Sequence, residues 1–277
     1  MLNRLLVREK LQQFYIEDNQ QGDLASRIFD SQAQGTLTLI SKDYGIFCGT
    51  AIVEEGFQLV APPATIDMAV EEGDAISPGA IIATITAPII SLLTMERIVL
   101  NLIQRMSGIA TTTQRMSAQI AHTQTRIVDT RKTTPGLALF EKYAVIVGGG
   151  LNHRRSLNDG LMLKDNHIDY SSSLTTAIQK AKTFLGPMDK IEVEIESKEM
   201  LQAAIDANVD IIMFDNCTPE WITAHLPLIP RSILTEASGN ITEANLASYA
   251  ATGVDFISMG ALFYGQKALD ISAKVVI

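Results

Sequence analysis

Residues 190–215, KIEVEIESKEMLQAAIDANVDIIMFD, decide the fold. Ile191, Val193 and Ile195 alternate with Glu192, Glu194 and Glu196, the two-residue period of a β-strand. SKEMLQAAIDAN then has the length and pattern of a helix, and DIIMFD is a short apolar run of strand type. Strand, helix and strand in so few residues make the repeating unit of a parallel sheet. The alternation continues outward. RIVDT (126–130) and GLMLK (160–164) precede this stretch, SILTEA (232–237) and DFISMG (255–260) follow it, and SLTTAIQKAKTFL (173–185) and TEANLASYAATG (242–253) read as connecting helices. Six strands fall short of the eight of a closed barrel, so the expected architecture is an open, incomplete parallel α/β barrel.

The first hundred residues read differently. Residues 3–16 form a helical pattern with Leu5, Leu6, Leu11 and Phe14 near one face. GTLTLISKDYGIFCGTAIV (35–53) reads as short antiparallel strands, and EEGDAISPGAIIATIT (71–86) as a turn-rich hairpin. A helix beginning near Leu92 carries Ile98, Leu102 and Ile109 on one stripe and Arg97 on its early turns. An α+β domain is expected here.

The net charge of −9 argues against nucleic acid or an anionic membrane as partner. Ala75 to Met95 is uncharged, but Pro78, Gly79 and Pro88 break it into pieces unsuited to spanning a membrane. The charged N-terminus lacks the apolar core of a secretory signal, so a cytoplasmic location is expected. Two cysteines and four histidines show no metal-ligand spacing, and no dedicated metal site is expected. Residues 126–164 hold seven Lys/Arg and three Asp/Glu, a local +4 that leaves −13 for the rest. A basic island in an acidic chain suits a small anionic ligand.

Nearly every strand of the second half ends in polar residues: Asp129, Arg131 and Lys132; Lys164 and Asp165; Glu194 and Glu196; Asp215 and Asn216; Glu236, Ser238 and Gly239; Gly260. The C-terminal ends of barrel strands converge on one face, so these residues are candidates for one site.

The run DTRKTTPGLALFEKYAVIVGGGLNHRRSLNDGLMLKDNHI (129–168) closely resembles the quinolinate phosphoribosyltransferases, and EVEIES, MFDN, EASGNI and TGVDFISMGAL extend the resemblance in order. It implies an α+β domain over 1–106, an open α/β barrel over 107–265, and a closing segment, 266–277, packed on the first domain. It also implies a homodimer or higher homo-oligomer whose sites are shared across the interface. The implied reaction transfers phosphoribosyl from phosphoribosyl diphosphate (PRPP) to quinolinate with loss of carbon dioxide.

By the same resemblance, Arg131, His153 and Arg154, with Arg97 from a partner subunit, hold the quinolinate carboxylates. Lys132 and Lys164 bind PRPP. Glu194 and Asp215 lie near the ribose and a Mg²⁺ that arrives with PRPP rather than in a dedicated site. Ser238, Gly239, Asn240 and Gly260 take the 5′-phosphate, and Lys132, Lys164, Glu194 and Asp215 form the catalytic set. The chain departs from the family's usual pattern at Asn240, where glycine is common, and at Phe263-Tyr264-Gly265, where Thr-His-Ser is usual. Other readings are a paralogous phosphoribosyltransferase of the molybdenum-transport-associated type, a Schiff-base aldolase using Lys164, and a non-catalytic binder of sugar phosphates.

Overall fold

A computed structural model describes residues 2–276 of the chain, with the side chain of Val276 left undescribed. The chain forms two compact units, one of Met1–Gln114, Leu139–Gly149 and Gln266–Ile277, the other of Arg115–Ala138 and Gly150–Gly265. Met1 and Ile277, the ends of the expected outer ranges, lie outside the described residues.

The first unit is built on an antiparallel sheet of β1 (Gln34–Ser41), β3 (Thr65–Met68), β5 (Ile81–Pro88) and β12 (Ile271–Val276), in the order β12-β1-β5-β3. The C-terminal segment thus returns as an edge strand beside β1. Leu37 and Leu39 of β1, and Ile82, Ala83 and Ile85 of β5, are buried. Helices α1 (Arg4–Asp18) and α2 (Thr50–Val60) belong to this unit, as do most of the long α3 (Ile89–Gln119) and all but the first residue of α4 (Ala138–Val147). Ile98, Leu102 and Ile109 of α3 are buried, as their stripe predicts.

Three local expectations are corrected. Residues 50–53 begin α2 instead of a strand, because the Glu72 carboxylate accepts the amides of Gly49 at 3.1 Å and Thr50 at 2.8 Å. A carboxylate on the unpaired first amides of a helix stabilises its start, and here it comes from a distant part of the chain. The expected hairpin at 71–86 is absent: β4 (Ala75–Ile76) pairs with β2 (Gly45–Ile46), while β5 lies between β1 and β3. On α1 the buried face is Val7 and Leu11, with Leu5 and Leu6 exposed. That rotation lets Arg4 and Arg8 meet Glu55 of α2 at 3.1 and 3.0 Å.

The second unit contains all six expected strands: β6 (Arg126–Val128), β7 (Leu161–Leu163), β8 (Ile191–Ile195), β9 (Ile211–Asp215), β10 (Leu234–Ser238) and β11 (Phe256–Ser258). They are parallel in the order β6-β11-β10-β9-β8-β7, with β6 and β7 left as edges, so the barrel is open. Helices α5 (Asp165–Tyr170), α6 (Leu174–Lys182), α7 (Lys198–Asp206), α8 (Pro219–His225) and α9 (Leu246–Ala250) lie between successive strands, and α10 (Ala261–Tyr264) follows β11. Ser173, Ser197 and Thr218 each accept an amide of the following first turn and so fix where α6, α7 and α8 begin. After α4 the chain rejoins β6 as a single bridge, Val128 to Leu151, and this places His153 and Arg154 beside the end of β6.

Candidate active site

The C-terminal strand ends surround a cavity of about 450 Å³. Eleven of the twelve expected site residues line it: Arg131, Lys132, His153, Arg154, Lys164, Glu194, Asp215, Ser238, Gly239, Asn240 and Gly260. Arg97 is exposed on α3 and is not among the lining residues.

One side of the cavity is basic. Arg154 is fixed by a bond from its guanidinium to the Gly160 carbonyl at 3.1 Å. Burial, and then the charge of Arg131, lower the Arg154 pKa from its ordinary value. The guanidinium stays charged, and two such groups this close repel each other until an anion lies between them. Lys132 leaves the end of β6 in a turn closed by its amide on Thr130 Oγ1 at 3.0 Å. Lys164, at the end of β7, is ion-paired with Glu194 of β8. Its backbone amide donates to His167 Nδ1 at 3.2 Å, which ties the lysine to the first turn of α5.

Glu194 and Glu196 share a strand face by period, and the structure separates them. Glu194 faces the cavity, whereas Glu196 is exposed and lines a different hollow. Burial raises the Glu194 pKa, the Lys164 ammonium opposes this, and the charges of Asp215 and Glu192 add to the rise.

His153 forms the floor, and both of its ring nitrogens are engaged within the protein. Nδ1 accepts the Arg154 amide at 2.8 Å, and Nε2 lies 2.9 Å from Glu192 Oε2 and 3.5 Å from Glu236 Oε2. Burial lowers the His153 pKa, but the hydrogen bond to Glu192 and the charges of Glu236, Glu192 and Asp129 raise it more. The buried Asp129 holds the same loop by accepting Asn152 Nδ2 at 2.6 Å and the His153 amide at 2.9 Å. His153, Glu192 and Glu236 bring three ligand atoms within 4.8 Å of one another. The Arg154 amide argues against a metal there, because an imidazole offering Nε2 to a cation carries its proton on Nδ1, where this donor already points.

An anion-suited loop also lines the cavity. Asn216, Gly239 and Asn240 all have positive φ, 53°, 89° and 51°. Gly239 is required: a Cβ there would sit 2.3 Å from Asn216 Oδ1 and 2.7 Å from its backbone nitrogen. Gly260, at the end of β11, lies under the Tyr264 ring and the Lys132 stem. A turn at a strand end, placed before a helix, is the usual phosphate position of α/β barrels.

Sequence reasoning missed Glu192 and named Glu236 only among the polar strand ends; Glu236 lies beneath His153 and is not among the lining residues. The two-residue period already puts Glu192 on the face of Glu194, but its burial depends on His153 arriving from 39 positions earlier.

The chain matches the family model of the quinolinate phosphoribosyl transferase N-terminal domain over residues 23–107 and that of the C-terminal domain over residues 109–274. It is 45% identical over 276 residues, covering 100% of this chain and 96% of the relative, to a probable nicotinate-nucleotide pyrophosphorylase [carboxylating] of Bacillus subtilis. It is 37% identical over 255 residues to a quinolinate phosphoribosyltransferase [decarboxylating] of Nicotiana tabacum, covering 85% of this chain and 72% of the relative. The nicotinate-nucleotide pyrophosphorylase structure from Francisella tularensis superposes with a TM-score of 0.93 at 34% identity, covering 100% of this chain and 98% of that one. With both family models together spanning nearly the whole sequence, and with this fold, the chain belongs to the quinolinate phosphoribosyltransferase family.

Proposed function

We propose that this chain transfers the phosphoribosyl group of PRPP to the ring nitrogen of quinolinate, in the biosynthesis of NAD. The observation that carries the reading is the convergence of Arg131, Lys132, Arg154 and Lys164 on one cavity that the Gly239–Asn240 loop also lines. Both substrates are anionic, and the cavity combines four cationic side chains with a loop suited to phosphate.

Arg131 and Arg154 hold the two carboxylates, since planar guanidinium forks match carboxylates bidentately. His153 positions this pair from beneath through the Arg154 amide. Ser238, Gly239, Asn240 and Gly260 take the 5′-phosphate, while Lys132 and Lys164 neutralise the diphosphate. The bond from C1′ to the diphosphate oxygen breaks as the ring nitrogen bonds to C1′, and the carboxylates of Glu194 and Asp215 stabilise positive charge on the ribose. The 2-carboxylate then leaves as carbon dioxide, its electron pair remains on ring carbon 2 beside the cationic nitrogen, and a proton replaces it. Nicotinate mononucleotide results.

Glu194 and Asp215 offer the hard oxygen donors that Mg²⁺ takes, and the diphosphate supplies further ones. Bound with PRPP, the ion would offset charge on the leaving group. We place Arg97, which is exposed on α3, in the site of a second copy of the chain. A Schiff-base role for Lys164 has less support, because its amine is already engaged by the Glu194 carboxylate. The test is turnover by the purified protein with PRPP, Mg²⁺ and either quinolinate or nicotinate. Nicotinate mononucleotide from quinolinate alone is expected, and product from nicotinate but none from quinolinate would overturn the reading.

A further inference from the structure

The side-chain amide of Asn216 spans two parts of the cavity wall. Its Nδ2 donates to Asp215 Oδ2 at 2.9 Å, and its Oδ1 accepts Asn240 Nδ2 at 3.0 Å. The backbone of Asn216 joins the same lattice, donating to the Ser238 carbonyl at 3.0 Å. Gly239 packs so closely on Asn216 that no side chain fits between them. The Asn240 carbonyl in turn accepts Asn245 Nδ2 at 3.3 Å. A carboxylate at the end of β9 and a left-handed loop at the end of β10 are therefore joined through one amide whose orientation both partners dictate.

We propose that Asn216 is a positioning residue that locks the Asp215 carboxylate and the Gly239–Asn240 loop into a single unit, so that the ribose and 5′-phosphate ends of PRPP are held at a fixed spacing. Asn240 is its working partner, and its side-chain amide anchors the loop on Asn216 Oδ1. The inference rests on the proposed phosphoribosyl transfer for the identity of the ligand. The anchoring itself concerns any ribose 5-phosphate bound along this wall.

The experiment compares wild type, Asn216→Gly, Asn240→Gly and the double variant. Glycine tolerates positive φ, so the backbone keeps its conformation while the bridge is removed. Binding of ribose 5-phosphate is measured by calorimetry, and KM for PRPP and for quinolinate by steady-state kinetics. Each single variant is expected to weaken ribose 5-phosphate binding and raise the PRPP KM about tenfold, the scale of one lost hydrogen bond to a charged group, with the quinolinate KM unchanged. The double variant should be no worse than the weaker single, because both substitutions break one bridge. Additive losses, equal shifts in both KM values, or unchanged ribose 5-phosphate binding would overturn the proposal. If wild type fails to consume quinolinate yet the variants show the coupled losses of ribose 5-phosphate binding, the phosphoribosyl-transfer reading fails and the Asn216 bridge stands.

Discussion

His153 Nε2 lies 2.9 Å from Glu192 Oε2, so a ring lining the cavity is held from below by a carboxylate buried in the barrel. Glu236 completes the cluster at 3.5 Å. Two buried carboxylates beside one imidazole do not both ionise at low cost, and the group that keeps its proton is Glu236. Burial, then the charge of Glu192, push its pKa up to about 8, against the pull of His153.

This cluster makes stability depend on pH. In the unfolded chain Glu236 loses its proton near the ordinary 4.5, whereas in the folded protein it keeps it to about pH 8. Its contribution is therefore complete below pH 4.5 and is lost as pH rises through 8. Glu236→Gln carries a neutral side chain at every pH. In urea unfolding, wild type should lose stability relative to Glu236→Gln between pH 5 and pH 8.5. Parallel curves for the two proteins would contradict the assignment of the buried proton.

The basic wall predicts a substrate-specific defect. Arg154→Lys keeps the charge but removes the planar fork, and should raise the quinolinate KM roughly 10- to 100-fold, the range of lost charged hydrogen bonds. The PRPP KM should change little. Steady-state kinetics with each substrate varied in turn checks this, and equal shifts in both would show that Arg154 acts on the site as a whole.

Gly260 predicts the opposite bias. A Cβ there would meet Tyr264 Cε1 at 2.8 Å and Lys132 Cδ at 2.9 Å. Both atoms lie on long side chains, so Gly260→Ala should fold normally while displacing Lys132. A rise of about tenfold in the PRPP KM is expected, matching one weakened charged contact, with partial recovery when Tyr264→Ala is added. No recovery in the double variant would mean that the ring is not the obstacle.

The shared site predicts complementation. Arg97→Ala and Lys164→Ala should each be inactive alone. Mixed and allowed to exchange subunits, they should regain about a quarter of wild-type activity, since half the twofold dimers are hybrids with one intact site each. Hybrids without activity would remove Arg97 from the partner's site.

Much of the barrel was legible because its cues are local. IEVEI and IIMFD announce strands by period and apolar content, and Ser197 and Thr218 mark the helix starts that follow them. The polar strand ends identified the cavity wall for the same reason, since a barrel gathers those ends on one face. What escaped was set by distant partners. The start of α2 depends on Glu72, 22 residues ahead of Thr50. The burial of Glu192 depends on His153, and the choice between Glu194 and Glu196 depends on Lys164 at the end of the neighbouring strand. The periodicity of β8 presents all three glutamates on one face and cannot rank them. Arg97 has no local signal at all beyond its exposure on an amphipathic helix.

The most direct measurement follows quinolinate labelled with ¹³C in the 2-carboxylate through turnover with PRPP and Mg²⁺. The account predicts that all of the label appears as carbon dioxide, one for each diphosphate released, with unlabelled nicotinate mononucleotide as the other product. Label retained in the nucleotide, or diphosphate release without labelled carbon dioxide, would contradict it.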